Sequence, residues 1–246
     1  MPNTSNRAVT EITADLSLNQ LPKVIMFYGP PGSGKGTQAN LIKDKYNIKF
    51  LDFGASFREF VAEHKDNADD PEQERAQRVY DYLMKGPILT EDLQYIIGKI
   101  IVDGVSGAGN FVMDKCGVLP EESEWLSDLL KNNQISSVLF HLPLDVAKSV
   151  ERINHRYYVP GNKVPFGSYE EALKHCPEGI EPIRREGEDE SHTLQRYDTM
   201  YRNNRDEILD IYRRKGHTPV IDINASLSID EVHQQVINNL KRLAKQ

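Results

Sequence analysis

Short apolar runs alternate with longer polar or amphipathic segments from residue 23 to the end of the chain. The apolar runs predict buried strands over 23–28, 110–113, 137–142 and 218–223. The segments around them predict helices over 34–46, 51–63, 71–84, 90–102, 121–131, 143–156, 188–214 and 229–243. Because strands separated by helices pair in parallel, we expect a mostly parallel sheet that is covered on both faces.

Two segments fall outside this alternation. The first 20 residues are mostly polar, and their few apolar positions, such as Leu16 and Leu18, would form at most one weak helical turn. A loose N-terminal extension is therefore the favoured interpretation. Residues 157–187 contain four prolines and show no sustained period. An insertion of this kind inside a compact domain is typically a functional lid or a disordered stretch.

Composition narrows the class of protein. The chain has 246 residues, of which 39% are hydrophobic, and a formal net charge of −7. No apolar run approaches the roughly 18 residues that a membrane span needs, and the acidic balance argues against a nucleic-acid partner. Two cysteines cannot build a disulfide scaffold. We expect a soluble, cytoplasmic α/β protein without a membrane or nucleic-acid partner.

The segment from Gly29 to Thr37, with the sequence Gly-Pro-Pro-Gly-Ser-Gly-Lys-Gly-Thr, lies between the first predicted strand and the first predicted helix. Glycines let successive backbone N–H groups point inward and cradle an anion, and the helix N-terminus adds partial positive charge. In such a loop Lys35 reaches the β- and γ-phosphates of a nucleotide, and the Thr37 hydroxyl faces Mg²⁺. This context disfavours the alternative of a tight Gly-Pro turn at a sheet edge.

The loop resembles that of the nucleoside-monophosphate kinases, and most closely the adenylate kinases. Further matches follow in order along the chain: Gly86-Pro87-Ile88-Leu89-Thr90, the pair Arg152 and Arg156, and the pair Arg185 and Arg196. The resemblance implies a three-layer P-loop α/β fold with a five-stranded parallel sheet and helices on both faces. It also implies a kinase domain over 22–246 after an extension over 1–21, with an acceptor-binding helical insertion at 52–89 and a lid at 157–187.

The resemblance also implies roles for individual residues. Phosphoryl transfer needs positive charge around the transferring group, and arginine supplies it in a planar fork that binds two phosphate oxygens. The implied catalytic residues are Lys35, Arg156, Arg185 and Arg196. The implied ATP-binding residues are Gly32, Ser33, Gly34, Lys35, Gly36, Thr37, Arg152 and Arg156. Thr37 and, through water, Asp114 would hold Mg²⁺, although an aspartate after a strand also commonly caps a turn.

The implied acceptor site departs from the family pattern. Its residues are Phe53, Gly54, Arg58, Pro87, Ile88, Leu89, Lys115, Glu122, Arg185 and Arg196. Phe53 stands where the family has threonine, Val118 where it has an arginine that grips the acceptor phosphate, and Glu122 where it has glutamine. Lys115 is a candidate for the missing positive charge. The losses cluster at the acceptor and leave the donor loop intact.

These features predict an ATP- and Mg²⁺-dependent phosphotransferase that acts as a monomer on a nucleoside monophosphate, with AMP as the default acceptor. Two alternatives remain open: a kinase for another small acceptor, and a nucleotide-binding switch or scaffold with weak transfer activity. Two weaker signals do not indicate any additional function. His175 and Cys176 lack two partners at metal-ligand spacing, and Trp125 on a predicted amphipathic helix is most simply packing.

Overall fold

The computed structural model describes residues 16–85, 90–107, 109–117, 119–161, 165–184 and 189–245. The strands within these residues form one parallel sheet of five, in the order β2-β3-β1-β4-β5. The strands are β1 (Val24–Tyr28), β2 (Lys49–Phe50), β3 (Phe111–Met113), β4 (Ser137–His141) and β5 (Val220–Asp222). The predicted parallel sheet is confirmed. Strand β2 falls outside the four runs predicted from hydrophobicity because it has only two residues, one of them the exposed Lys49.

The described residues also form ten α-helices, one 3₁₀ turn (Leu18–Gln20) and one π-helical turn (Asp198–Arg202). The α-helices are α1 (Lys35–Tyr46), α2 (Phe53–His64), α3 (Gln73–Lys85), α4 (Thr90–Ser106), α5 (Pro120–Asn132), α6 (Val146–Asn154), α7 (Tyr169–Leu173), α8 (Glu190–Tyr197), α9 (Arg205–Lys215) and α10 (Ile229–Leu243). No helix in the described parts of the chain is long and apolar enough to cross a membrane.

The sheet separates two apolar cores, one on each face. Side chains alternate along a strand, so Val24 and Met26 of β1 enter one core while Ile25 and Phe27 enter the other. The first core also contains side chains from α2, α4, α5 and α9, and the second contains side chains from α1 and α10. Helices therefore cover both faces, which confirms the predicted three-layer P-loop α/β fold.

Two predicted helices differ from the structure. The segment 188–214 is not one helix: α8 ends at Tyr197, the π turn follows, and α9 begins at Arg205. The helix predicted from residue 143 begins instead at Val146, because the Asp145 side chain caps it by accepting a hydrogen bond from the Lys148 N–H at 2.8 Å. The proline at 143 lies before the helix rather than in its first turn.

The two segments outside the alternation both contain ordered elements. The turn at Leu18–Gln20 is exposed, but Leu16 packs against the second core and Leu21 is buried. The Asn110 side-chain amide also donates to the Pro22 carbonyl at 3.1 Å. The predicted lid contains α7 and two antiparallel bridges, Tyr157 with Phe166 and Tyr158 with Ile183. The stretch is therefore folded back on itself within the described residues.

Candidate active site

The glycine-rich loop connects the carboxyl end of β1 to α1, at the edge of the sheet where parallel strands end. Gly32 and Gly34 have φ angles of +77° and +91°, a region that side-chain-bearing residues rarely adopt. A Cβ atom on Gly32 would lie 3.0 Å from the Ser149 carbonyl oxygen, so glycine is also needed for close packing on α6. The Ser149 hydroxyl donates to the Pro31 carbonyl at 2.6 Å and fastens the loop to the same helix.

Lys35, the first residue of α1, is folded into this loop. Its ammonium donates to the carbonyl oxygens of Gly29 and Pro30, each at 2.8 Å. Burial lowers the pKa of Lys35 from 10.5 to about 8. Nearby charges also act on this pKa: the Asp114 carboxylate raises it, whereas the cations of Arg156, Arg196 and Lys115 lower it. The fold therefore brings five residues predicted for the site into one electrostatic neighbourhood.

Asp114 directly follows β3 and faces the first turn of α1. A Cβ atom at Gly36 would lie 3.8 Å from Oδ2 of Asp114, so the carboxylate stands beside the residue that precedes Thr37. A carboxylate and a threonine hydroxyl next to a phosphate loop are the oxygen donors that Mg²⁺ prefers. The residues present therefore fit a magnesium ion.

A cavity of about 450 Å³ opens beside the loop, within the range of small-molecule sites. Six of the predicted ATP-binding residues line it: Gly32, Ser33, Gly34, Thr37, Arg152 and Arg156. The Ser33 hydroxyl is buried and has no hydrogen-bond partner in the part of the chain that the structure describes. Since buried polar groups are almost always paired, an unpaired hydroxyl at this cavity fits a ligand-binding site.

Other walls of the cavity were not predicted from the sequence. They include Leu227, Ser228 and Ile229 from the β5–α10 connection, His155 after α6, and Phe166 of the predicted lid. Arg152 joins two of these walls, because its guanidinium donates to the carbonyl oxygens of Gly32 at 3.3 Å and Leu227 at 3.5 Å. Only the order of strands in the sheet places the end of β5 on this side, and no local motif marks it.

The predicted acceptor residues lie around the start of α2 and the end of β3. Asp52 caps α2 by accepting from the Ala55 N–H at 3.1 Å, and a Cβ atom on Gly54 would lie 3.4 Å from Nη1 of Arg58. The Lys115 ammonium lies 5.9 Å from the centre of the Phe53 ring. Two cations, Arg58 and Lys115, thus flank the first turn of α2.

Glu122 lies in the first turn of α5, the helix that follows β3. The Cys116 thiol is fully buried, and this burial raises its pKa. The Lys35 ammonium lowers this pKa, whereas the Glu122 carboxylate raises it. Glu122 therefore lies close enough to the β3 end to act on its electrostatics. The remaining predicted residues, Pro87, Ile88, Leu89 and Arg185, lie outside the described residues, as does Val118.

Fold and site together define a P-loop α/β protein with a nucleotide-sized cavity at the carboxyl edge of its sheet. The family described as AAA domain matches residues 28–156, which is more than half of the chain. The chain belongs to this AAA domain family.

The chain is also similar to curated adenylate kinases over most of its length. The adenylate kinase of Thermotoga neapolitana is 25% identical, with 87% of this chain and 94% of the relative covered. The adenylate kinase of Kosmotoga olearia is 28% identical over 89% of this chain and 99% of its own length. That of Archaeoglobus fulgidus is 25% identical, covering 89% and 98% respectively. The predicted resemblance to adenylate kinases is confirmed, and it supports a nucleotide kinase.

Proposed function

We propose that the protein transfers the γ-phosphate of ATP to a nucleoside monophosphate, with AMP as the default acceptor. The observation that carries the proposal is the environment of Lys35. Its ammonium is held inside the phosphate loop, and the charges of Arg156, Arg196, Lys115 and Asp114 all act on it. This arrangement suits phosphoryl transfer, because the reaction needs positioning and positive charge rather than a covalent intermediate.

The donor nucleotide would occupy the cavity beside the loop. Backbone N–H groups of the loop and the α1 N-terminus would bind its phosphates, with Lys35 turning from the Gly29 and Pro30 carbonyls toward the β- and γ-phosphates. Arg152 would contact the base side of the cavity, where it already spans the loop and Leu227. Arg156 and Arg196 would stabilise negative charge on the transferring group.

Thr37 and, through water, Asp114 would hold Mg²⁺. The ion would supply neutralising charge at the β- and γ-phosphates when ATP is bound. The loop residues orient the phosphates, and Lys35 together with the arginines holds the transferring oxygens in place. An oxygen of the acceptor phosphate would then attack the γ-phosphorus in line, and the bond from that phosphorus to the leaving ADP would break.

The acceptor side has a specific weakness and a specific substitute. Val118 supplies no charge for a dianionic phosphate, and an apolar side chain cannot replace an arginine fork. Lys115, three residues earlier, stands beside Phe53 at the start of α2 and is the nearest candidate cation on that strand end. We therefore expect AMP to bind weakly, with a KM above the ~1 μM–1 mM range that is common for enzymes. The same observation favours a kinase for another small acceptor as the second candidate.

An ADP-coupled assay with AMP, CMP, UMP, GMP and dTMP tests the proposal. We expect turnover with AMP at a high KM, a further rise of that KM in Lys115→Ala, and an increase of kcat/KM in Val118→Arg. Lys131→Ala is the matched control, because Lys131 is exposed in the last turn of α5. Higher kcat/KM for another monophosphate would replace AMP as the acceptor. Measured ATP binding with no transfer to any of the five would contradict the kinase proposal and favour the scaffold.

A further inference from the structure

A buried imidazole joins two strand ends to the segment that follows α8. His141, the last residue of β4, is 5% exposed. Its Nδ1 lies 2.6 Å from Oδ1 of Asp222, the last residue of β5, and its Nε2 lies 2.9 Å from the Tyr201 hydroxyl. These three side chains therefore form one continuous hydrogen-bonded chain from the sheet to the π turn.

The segment held in this way carries Arg196. Arg196 is in the last turn of α8, and the next residue, Tyr197, donates its hydroxyl to the Leu144 carbonyl at 2.8 Å. Tyr201, four residues further on, makes the second attachment through His141. Both tyrosines are buried, so the backbone on the C-terminal side of Arg196 is fixed to β4 and its following connection at two points.

The π turn adjusts the spacing between these two attachments. The Asn203 N–H donates to the Asp198 carbonyl at 3.1 Å, a bond across five residues that widens the helix by one residue. Single π turns are rare in proteins, and those that occur are often found at functional sites. An α-helical turn here would rotate Tyr201 relative to Tyr197 and so would change one attachment. The unusual turn thus accompanies the contact between Tyr201 and His141.

The hydrogen bonds of this chain are complete only when the imidazole is neutral. Nδ1–H then donates to Asp222, and Nε2 accepts the Tyr201 proton. With a second proton on the imidazole, Nε2–H would donate to the Tyr201 oxygen, and the buried phenol proton would lose its acceptor, which destabilises this arrangement. Burial lowers the pKa of His141, which favours the neutral form near pH 7.

Charged and titratable groups on four packed elements face this imidazole. Asp222 favours its protonation, whereas Arg205 and Arg213 of α9 oppose it. The remaining members of the set are Tyr28 on β1, stacked on the ring with centroids 5.9 Å apart, Tyr201 in the π turn, and Asp206 on α9. Because these charges act on the imidazole in opposite directions, the main effect of protonation is on the hydrogen bond between His141 and Tyr201.

We propose that His141 is a positioning residue, whose neutral imidazole holds Tyr201 and thereby the segment carrying Arg196, and whose protonation releases that segment and slows phosphoryl transfer in acid. The predicted effect on the rate of phosphoryl transfer rests on the proposed function. Its structural part, release of the segment on protonation, does not depend on that function.

The rate test compares pH profiles of kcat between about pH 7.5 and pH 4.5, a range that extends below the ordinary histidine pKa because burial lowers the pKa of His141. We expect Tyr201→Phe to lower kcat about tenfold at pH 7.5 with an ATP KM within about twofold of wild type, since only the arginine is displaced. We expect kcat of the wild type to fall in acid and this fall to be absent from Tyr201→Phe. His141→Gln should keep the wild-type kcat at pH 7.5 and should also lack the acid fall, because the glutamine amide oxygen accepts from Tyr201 and does not titrate. Tyr212→Phe is the control: it removes a buried phenol that donates to the Cys116 carbonyl at 2.7 Å, and it should keep the wild-type acid fall.

Hydrogen exchange separates this inference from the proposed function. Amide protection factors over 189–202 should fall between about pH 7.5 and pH 4.5 in the wild type and stay constant in His141→Gln. Unchanged protection in the wild type, or an acid fall of kcat retained in Tyr201→Phe, would overturn the positioning role. If the wild type transfers phosphate to no monophosphate, the proposed function fails, and the exchange measurement still decides whether His141 holds the segment. The exchange measurement on the wild type and His141→Gln also decides this question if the Tyr201→Phe variant does not fold.

Discussion

Replacing Lys35 with methionine would remove the positive charge from the phosphate loop and keep an unbranched side chain of similar length. The loop would keep its other constraints, namely the left-handed Gly32 and Gly34 and the bond from the Ser149 hydroxyl to the Pro31 carbonyl. We therefore expect the variant to fold with an unchanged loop.

The structure allows the two consequences to be sized separately. The fall of the Lys35 pKa from 10.5 to about 8 means that its surroundings, with burial as the largest cause, disfavour the ammonium by about 3 kcal/mol. The two bonds that the variant loses are donated by a charged group and are worth about 1.5–3 kcal/mol each, so the effects oppose one another. We expect the unfolding free energy to fall by no more than about 3 kcal/mol, or by roughly 6–12 °C in Tm. Turnover should fall roughly 10²–10³-fold, as when one preorganised charge-directed contact is deleted.

The assay is ADP formation at saturating ATP, with Tm measured by circular dichroism on the same preparation. Lys43→Met is the matched control, because Lys43 lies on the same helix, is 45% exposed and pairs only with Asp44 among the described ion pairs. Its turnover should stay within about twofold of wild type. A folded Lys35→Met variant with near-wild-type turnover would refute the assignment of the loop as catalytic.

Three further predictions concern Lys35, the buried Asp92 and the predicted lid. Because the Lys35 ammonium loses its proton above its pKa of about 8, ATP affinity measured by calorimetry should be lower at pH 9 than at pH 7, and equal affinities would contradict this. Asp92→Asn should lower the unfolding free energy in urea by about 2–3 kcal/mol, because the buried carboxylate accepts one hydrogen bond from Arg75 and two from Arg78. A loss below about 0.5 kcal/mol would show that solvent replaces the carboxylate. Amide exchange in 157–187 should slow when a ligand joining donor and acceptor nucleotides binds, and equal exchange would exclude a lid.

The sequence was sufficient for elements whose signal is local. Strand β1 is an uninterrupted apolar run, and the Ser228–Glu231 capping box begins α10 at the predicted residue. Strand β2 has no such signal, since two residues cannot show a period. The break after α8 was also hidden, because it depends on contacts of Tyr197 and Tyr201 with residues of β4 and its following connection, more than 50 positions earlier.

The candidate site divides in the same way. The glycine-rich loop was predictable because φ angles, backbone N–H groups and the Lys35 position all belong to one short segment. The wall formed by Leu227 and Ile229 was not, since only the sheet order β1-β4-β5 brings it to the loop. The chain of His141, Asp222 and Tyr201 joins positions 60 and 81 residues apart and carries no motif.

The most direct test of the central proposal follows the γ-phosphate itself. Protein, Mg²⁺ and ATP labelled on the γ-phosphate are mixed with each monophosphate, and the products are separated by chromatography. The account predicts that label moves into a nucleoside diphosphate with at least one acceptor, and that Lys35→Met stops this transfer while Lys43→Met does not. Label that appears only as inorganic phosphate, or that stays in ATP with all five acceptors, would contradict it.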